Sequence, residues 1–335
     1  RLSKEKIEFI KLGKIIEERK LKFLHNNKGI ELDIDHFRDV WFKTSFLLDR
    51  EQTNMDESKL RFLNYKNQKL KYKFPNSFTG KIKNISYKKK IIAAVIREKG
   101  INSEREMAYM LHLSGFEVKD VHMTDLVSGR ENLKNVNMVI FPGGFSNSDV
   151  LGSAKGWAGA FKYNEKAKKA INQFYSRSNT LSLGVCNGCQ LMMELNLIEK
   201  KLNGNHPKME HNNSKKFECT FSSIDILESN SVMLKSLSGS TLGIWSAHGE
   251  GKFNLKGSKV NVVAKFHYDE YPGNPNGSEK SIAAISSSDG RHLAIMPHLE
   301  RSIFPWNWAH YDNIRKDEIS PCLLYTSDAA DDRVS

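Results

Sequence analysis

The sequence predicts an α/β fold with a mostly parallel central sheet, preceded by a partly helical segment. Three observations carry that expectation. Short, continuously apolar runs begin at Ile91, as expected of parallel strands covered on both faces. They alternate with helix-length segments, the pattern of strand–helix–strand units. Before residue 91 the texture differs, with polar, lysine-rich chain and few apolar runs.

In order along the chain, residues 1–50 read as helical, with Ile7, Ile10, Leu12, Ile15 and Ile16 near helix spacing and then D-V-W-F-K-T-S-F-L-L-D. Residues 51–90 contain Pro75, Gly80 and a terminal K-K-K, which predicts a connector. I-I-A-A-V-I is the first parallel strand. Ser103-x-x-Glu106 offers a capping box for a helix through Leu113, stopped at Gly115. Strand-like E-V-K-D-V-H-M and N-M-V-I-F-P-G-G follow, then a lysine-rich helix around 162–176, then T-L-S-L-G-V-C. V-N-V-V-A-K-F, S-I-A-A-I-S-S and H-L-A-I-M-P predict further strands. The closing C-L-L-Y-T-S-D-A-A-D-D-R-V-S lacks an obvious periodic face and looks like translated adapter sequence, so 322–335 is expected to lie outside the fold.

Composition narrows the class. Hydrophobic content of 39% and charged content of 27% describe a globular chain, with no run approaching a membrane span. A start at Arg1, with no apolar stretch behind a basic one, predicts a missing front and no signal peptide. Four scattered cysteines make no disulfide framework in 335 residues, so a reducing cytoplasm is the expected location. The net charge of +12 suggests nucleic acid until it is located. Residues 1–90 carry 23 Lys and Arg against 12 Asp and Glu, whereas the remainder carries 28 against 27. The excess is interspersed with Asn, Ile and Glu, as on a solvated helix face, so neither nucleic acid nor membrane is an expected partner.

The chemistry concentrates at three strand ends. In T-L-S-L-G-V-C-N-G-C-Q-L-M-M an apolar strand meets Cys186 in a G-x-C-x-G turn, and Gln190 opens a helix. That is the shape of a nucleophile elbow, where flanking glycines permit a strained turn and helix N-terminal amides favour thiolate. A buried structural cysteine is the alternative. F-P-G-G-F-S at 141–146 also follows a strand, so the amides near Gly144 and of Asn187 are candidate oxyanion donors. In A-I-M-P-H-L-E-R, His298 and Glu300 stand two apart and share a side in extended backbone, so Glu300 can orient the imidazole.

Together these motifs resemble the class I, triad-type glutamine amidotransferases, whose domain is flavodoxin-like. R-E-K-G-I-N-S-E-R-E-M-A at 97–108, D-V-H-M-T-D-L at 120–126, A-H-G-E-G at 247–251 and Y-P-G-N-P-N-G-S at 271–278 narrow the likeness. They resemble the glutaminase domain of the large single-chain phosphoribosylformylglycinamidine synthases, and D-V-W-F-K-T-S-F-L-L resembles the end of the synthetase portion. The resemblance implies a synthetase remnant at 1–50, a linker at 51–90, the glutaminase domain at 91–321 and a non-native tail at 322–335. It implies Cys186 as nucleophile with His298 and Glu300 completing the triad, and oxyanion amides at Gly144 and Asn187. Gln190, His248 and Asn276 are implied near the substrate, L-glutamine, with no metal. ATP and Mg2+ are implied only for the synthetase portion, which is the expected partner. The family usually has proline where Leu299 stands, so a looser His–Glu dyad is expected.

Other readings remain open at this level. A triad glutaminase serving anthranilate, CTP or GMP synthesis would share the three strand ends. A redox or metal protein would use Cys186-x-x-Cys189, although Cys219 offers no second pair. A non-catalytic scaffold on the same fold would leave all three motifs without a task.

Overall fold

The computed structural model describes residues 2–26, 28–82, 90–199, 205–312 and 315–334. The chain divides into two compact units, Arg1–Phe62 and Leu63–Ser335.

The first unit has a 3-10 turn at Leu2–Glu5, then, after irregular chain, a hairpin of β1 (Lys20–His25) and β2 (Lys28–Asp33), followed by α1 (Ile34–Gln52) and the start of α2 (Met55–Asn64). The helical expectation therefore holds over 34–50 and fails before it. Leu21 pairs with Leu32 and Phe23 with Ile30 across the hairpin, a period of two that the upstream isoleucines obscure. Those isoleucines form no helix: Ile10, Leu12 and Ile15 are exposed in irregular chain. Asp33 caps α1 by accepting from the His36 N–H at 2.7 Å.

The segment expected as a linker is built differently. α2 occupies part of it, and 65–82 joins the second unit as a strap. Lys73 exchanges both backbone hydrogen bonds with Thr241, at 2.9 and 2.8 Å. Tyr72 and Phe74 meet the Trp308 ring edge-on. The K-K-K expectation lies largely outside the described residues.

The second unit holds β3 (Ile92–Arg97), α3 (Glu104–Leu113), β4 (Glu117–His122), α4 (Met123–Ser128), β5 (Met138–Phe141), α5 (Lys155–Tyr163), α6 (Glu165–Tyr175), β6 (Leu181–Val185) and α7 (Asn187–Glu194). β7 (Lys208–Glu210), β8 (Glu218–Ile226), β9 (Thr241–His248), β10 (Lys252–Asn254), β11 (Asn261–Phe266), β12 (Ile282–Ser286) and β13 (His292–Ile295) follow, with α8 (Leu324–Val334) last. Nine strands form one sheet in the order β4-β3-β5-β6-β13-β12-β11-β8-β9. Pairings from β4 through β13 are parallel, and those from β13 through β9 antiparallel. All residues of β5, β6 and β13 are buried, which is why they read as predominantly apolar runs, with Ser182 and His292 the polar exceptions. α6 buries Ala167, Ala170, Ile171 and Phe174, one stripe at helical spacing.

Two local expectations are corrected. Ser103 precedes α3 but makes no side-chain cap; its hydroxyl bonds the P-G-G loop instead. The 322–335 segment does not lie outside the fold. Cys322, Tyr325, Thr326, Ala329 and Ala330 are fully buried, at positions i, i+3, i+4, i+7 and i+8. The helical face is present in the sequence, but threonine and alanine make it inconspicuous. Among the described residues no helix is long and apolar enough to cross a membrane.

Candidate active site

β6 delivers Cys186 and α7 leaves it, with the cysteine between them at φ 52°, ψ −108°. A non-glycine residue there is strained, and the strain persists only because the surroundings fix it. The Cys186 N–H donates to Ile295 O of the neighbouring strand at 3.0 Å. Behind it, a side chain at Gly188 would place its Cβ 1.8 Å from Phe141 O, so only glycine lets α7 approach β5 this closely. The Cys186 sulfur stands 3.6 Å from Ala247 O, where β9 ends.

β13 runs parallel to β6 with Ile295 opposite Val185, so the two strands end together. That register brings His298 to a cysteine far away in sequence. The His298 N–H donates to Trp245 O at 2.7 Å, and its Nδ1 meets Glu300 Oε1 at 2.6 Å. The expected extended backbone is not what unites the pair. Leu299 is helical, at φ −69° and ψ −33°, and Glu300 opens a 3-10 turn. Both side chains are buried. Burial disfavours the imidazolium, but the Glu300 carboxylate and the hydrogen-bonded Cys186 sulfur outweigh it and hold the His298 pKa above its usual value. Burial likewise opposes ionisation of Glu300, and His298 outweighs it, so its pKa lies below the usual carboxylate value. The pair is an oriented, charged dyad facing the sulfur.

In the P-G-G-F-S loop one backbone donor is left unengaged. The Gly143 N–H donates to Ser103 Oγ at 2.7 Å, the Phe145 N–H to Gly100 O at 2.8 Å and the Ser146 N–H to Asn187 Oδ1 at 3.1 Å. Among the described residues, no acceptor meets the Gly144 N–H. Gly144 has φ 148°, and a Cβ there would lie 2.6 Å from Gly100 O, so the position requires glycine. The Asn187 N–H, at the first turn of α7, has no intrahelical acceptor. A thiol, an oriented imidazole and two backbone donors at adjacent strand ends are the parts of an acyl-transfer site.

A family model for the CobB/CobQ-like glutamine amidotransferase domain matches residues 90–328. The chain belongs to this family. The amidotransferase domain is also similar to curated proteins: 40% identity over 321 residues to a probable phosphoribosylformylglycinamidine synthase, chloroplastic/mitochondrial, of Arabidopsis thaliana, and 37% over 312 residues to the phosphoribosylformylglycinamidine synthase of Homo sapiens. These alignments cover 88% and 84% of this chain but 23% of each relative, so the chain spans about a quarter of their length. Among solved structures, PurLQS from Thermotoga maritima aligns with a TM-score of 0.56 and 25% identity, over 71% of this chain and 97% of that one.

Above Cys186 the amidotransferase domain has a cavity of about 300 Å³, lined by Gly144, Asp149, Gln190, His248 and Glu250 among others. Gln190 is tied down at both ends of its amide: it donates to Glu250 O at 2.8 Å and accepts from the Asn187 side chain at 2.8 Å. His248 lines the cavity, is buried, and among the described residues has no hydrogen-bond partner at either ring nitrogen. Burial and then the neighbouring His298 charge lower its pKa to about 3, so the ring is neutral. Asn276, expected near the substrate, stands behind the lining, donating to Gly251 O at 2.8 Å. Sequence reasoning missed Asn212, whose amide donates to His248 O at 2.7 Å and accepts from the Gly251 N–H at 3.0 Å. It also missed Asp149, Glu250 and the true task of Ser103. Only A-H-G-E-G offered a signal, for Glu250. Cys189 is fully buried, and burial pushes its thiol pKa well above the usual range, the environment of an inert thiol.

Proposed function

We propose that the cavity hydrolyses the side-chain amide of L-glutamine. The observation that carries this reading is Cys186 held at a strained elbow beside the buried His298–Glu300 dyad. Cys186 thiolate attacks the amide carbon, and the oxyanion rests on the Gly144 and Asn187 amides. Each such donor contributes about 3–4 kcal/mol in comparable sites. His298 protonates the departing nitrogen, ammonia leaves, and a γ-glutamyl thioester remains. His298 then takes a proton from water, whose oxygen displaces the sulfur and releases glutamate. Gln190 and His248 bound the substrate in this reading, and Asn276 supports them from behind.

The whole relatives' names support a larger proposal. Ammonia passes to a synthetase portion, where ATP with Mg2+ activates the amide oxygen of formylglycinamide ribonucleotide in purine biosynthesis. Those groups belong to the synthetase portion, and no step here is assigned to them. The absence of disulfides among the four cysteines fits a reducing compartment such as the cytoplasm.

A glutamine analogue bearing an electrophilic warhead tests the reading, with mass mapping of the labelled peptide. The expected result is label on Cys186, blocked by excess glutamine and reduced in His298→Ala. Label on Cys219, or labelling indifferent to glutamine, would sink it.

A further inference from the structure

The peptide unit between Gly143 and Gly144 has glycine on both sides, so no Cβ restrains its rotation. Yet it stands against the reacting groups. A Cβ on Gly143 would lie 2.6 Å from His298 Cε1 and 3.2 Å from Cys186 Cβ. Contacts, rather than the sterics of its own side chains, have to fix its orientation.

The segment 100–103, between β3 and α3, makes those contacts. Gly143 O accepts from the Asn102 N–H at 3.2 Å, from the Ser103 N–H at 3.3 Å and from the Ser103 hydroxyl at 3.3 Å. The same hydroxyl oxygen accepts from the Gly143 N–H at 2.7 Å. One side chain therefore holds both the N–H and the C=O of Gly143, and with them the two soft dihedrals about which the next peptide turns. Ser103 is fully buried and its side chain caps nothing in α3, so among the described residues Gly143 receives both of its bonds. Arg301, the residue after the dyad's carboxylate, donates to Asn102 Oδ1 at 3.2 Å and ties the segment to the turn that carries Glu300.

Ile101 stands opposite Gly144 in an antiparallel bridge. Its hydrogen bonds run from the Asn102 N–H to Gly143 O and from the Phe145 N–H to Gly100 O, so Gly144 itself takes part in neither. The 143–144 peptide is trans, and in a trans peptide the C=O and the following N–H point in opposite directions. Three donors that draw Gly143 O towards the segment therefore turn the Gly144 N–H away from it. Gly144 lines the cavity together with Cys186. We propose that Ser103 is a positioning residue whose hydroxyl locks the Gly143–Gly144 peptide with the Gly144 N–H presented to the oxyanion. This rests on the reading of Cys186 as the glutaminase nucleophile, and it gives G-I-N-S a part in turnover without contact to the substrate.

The test separates steps that build negative charge on oxygen from steps that do not. Acylation of Cys186 by p-nitrophenyl acetate passes through a tetrahedral oxyanion before p-nitrophenolate leaves. Alkylation by iodoacetamide displaces iodide and forms no oxyanion, and mass mapping assigns either product to Cys186. In Ser103→Ala of the full 335-residue chain, kcat for glutamine and the acylation rate should each fall about ten- to a hundredfold. KM and the alkylation rate should stay within about twofold of wild type, which a general loosening of the site would not allow. Ser103→Cys, closest in shape but a weaker hydrogen-bonding group, should lie between wild type and Ser103→Ala, and it carries the test if Ser103→Ala does not fold. Acylation unchanged in the folded variants would overturn the proposal, as would alkylation that falls by the same factor, or a loss carried by KM. A wild type that turns over no glutamine, yet loses acylation and not alkylation on Ser103→Ala, sustains the lock and removes the glutaminase reading. Glutamine turnover and acylation that both ignore position 103 do the reverse.

Discussion

From β4 to β13 neighbouring strands of the sheet run parallel, and from β13 to β9 they run antiparallel. The parallel half supplies Gly144, Cys186, His298 and Glu300, each just beyond the carboxyl end of a strand. The antiparallel half supplies much of the wall: Ala247 and His248 close β9, Glu250 follows it, and Asn212 precedes β8 and braces them. The halves meet where Trp245 O of β9 accepts the His298 N–H. Parallel strands converge their ends on one crevice, which suits groups that must act on the same atoms. Antiparallel strands end in hairpins and loops, which suit recognition of the substrate's outer parts.

If that division is right, substitutions in the parallel half lower kcat and those in the antiparallel half raise KM. The largest effect is expected for Cys186→Ala, a loss of glutamine hydrolysis of about 10⁴-fold or more by ammonia release. Glu300→Gln should lower kcat about 10²–10⁴-fold. It should also move the alkaline limb of the rate profile to lower pH, because the carboxylate that raises the His298 pKa is gone.

The dyad has a stability signature too. His298 has a raised pKa, so its contribution is complete below the ordinary value of 6.5 and fades as pH rises through the folded value. Glu300 has a lowered pKa, so its contribution is complete above 4.5 and fades on acidification. The difference in denaturant midpoint between wild type and Glu300→Gln should therefore peak between pH 4.5 and 6.5.

Smaller effects sharpen the contrast. Gly144→Ala should lower kcat by about 10²-fold through the displaced oxyanion donor, while alkylation of Cys186 by a small electrophile continues. Asn212→Ala should raise KM for glutamine about tenfold, with kcat changed only a few-fold; an equal loss in kcat would erase the proposed division. The smallest expected effect is that of Leu299→Pro. Position 299 already has φ −69°, which proline adopts, so the looser dyad expected without proline is not seen in the backbone. Stability should change by about 1 kcal/mol or less and kcat by about twofold or less.

The elbow was legible because its parts lie within a few residues. Strand, glycines, cysteine and helix follow one another, and the local strain needs no distant partner to be recognised. The His298–Glu300 pair was legible as a pair, though for the wrong local geometry, since a helical turn at Leu299 rather than a strand aligns the side chains. Ser103 looked like a helix cap because its spacing to Glu106 fits one. Its hydroxyl instead serves Gly143, 40 positions away, a contact that local spacing cannot register. Asn212 reaches His248 across 36 positions, and Asp149 reaches Asn187 across 38. The hairpin at 20–33 and the stripe of α8 were present in the residues but were masked by a helix-like neighbourhood and by small side chains.

By itself, the sequence determined which strands are buried on both faces, where the Cys186 elbow turns, and which residues are the candidates for chemistry. Those features are properties of short segments, set by side-chain apolarity and by the backbone freedom of glycine. Tertiary structure alone decided that β6 and β13 are neighbours in register and that Gly144 keeps the one unengaged amide of its loop. It also decided that Asp149 and Glu250, about a hundred positions apart, line one cavity. Pairing register and charge neighbourhood are set by contacts between positions far apart in the chain, and those contacts exist only once the sheet has closed around them.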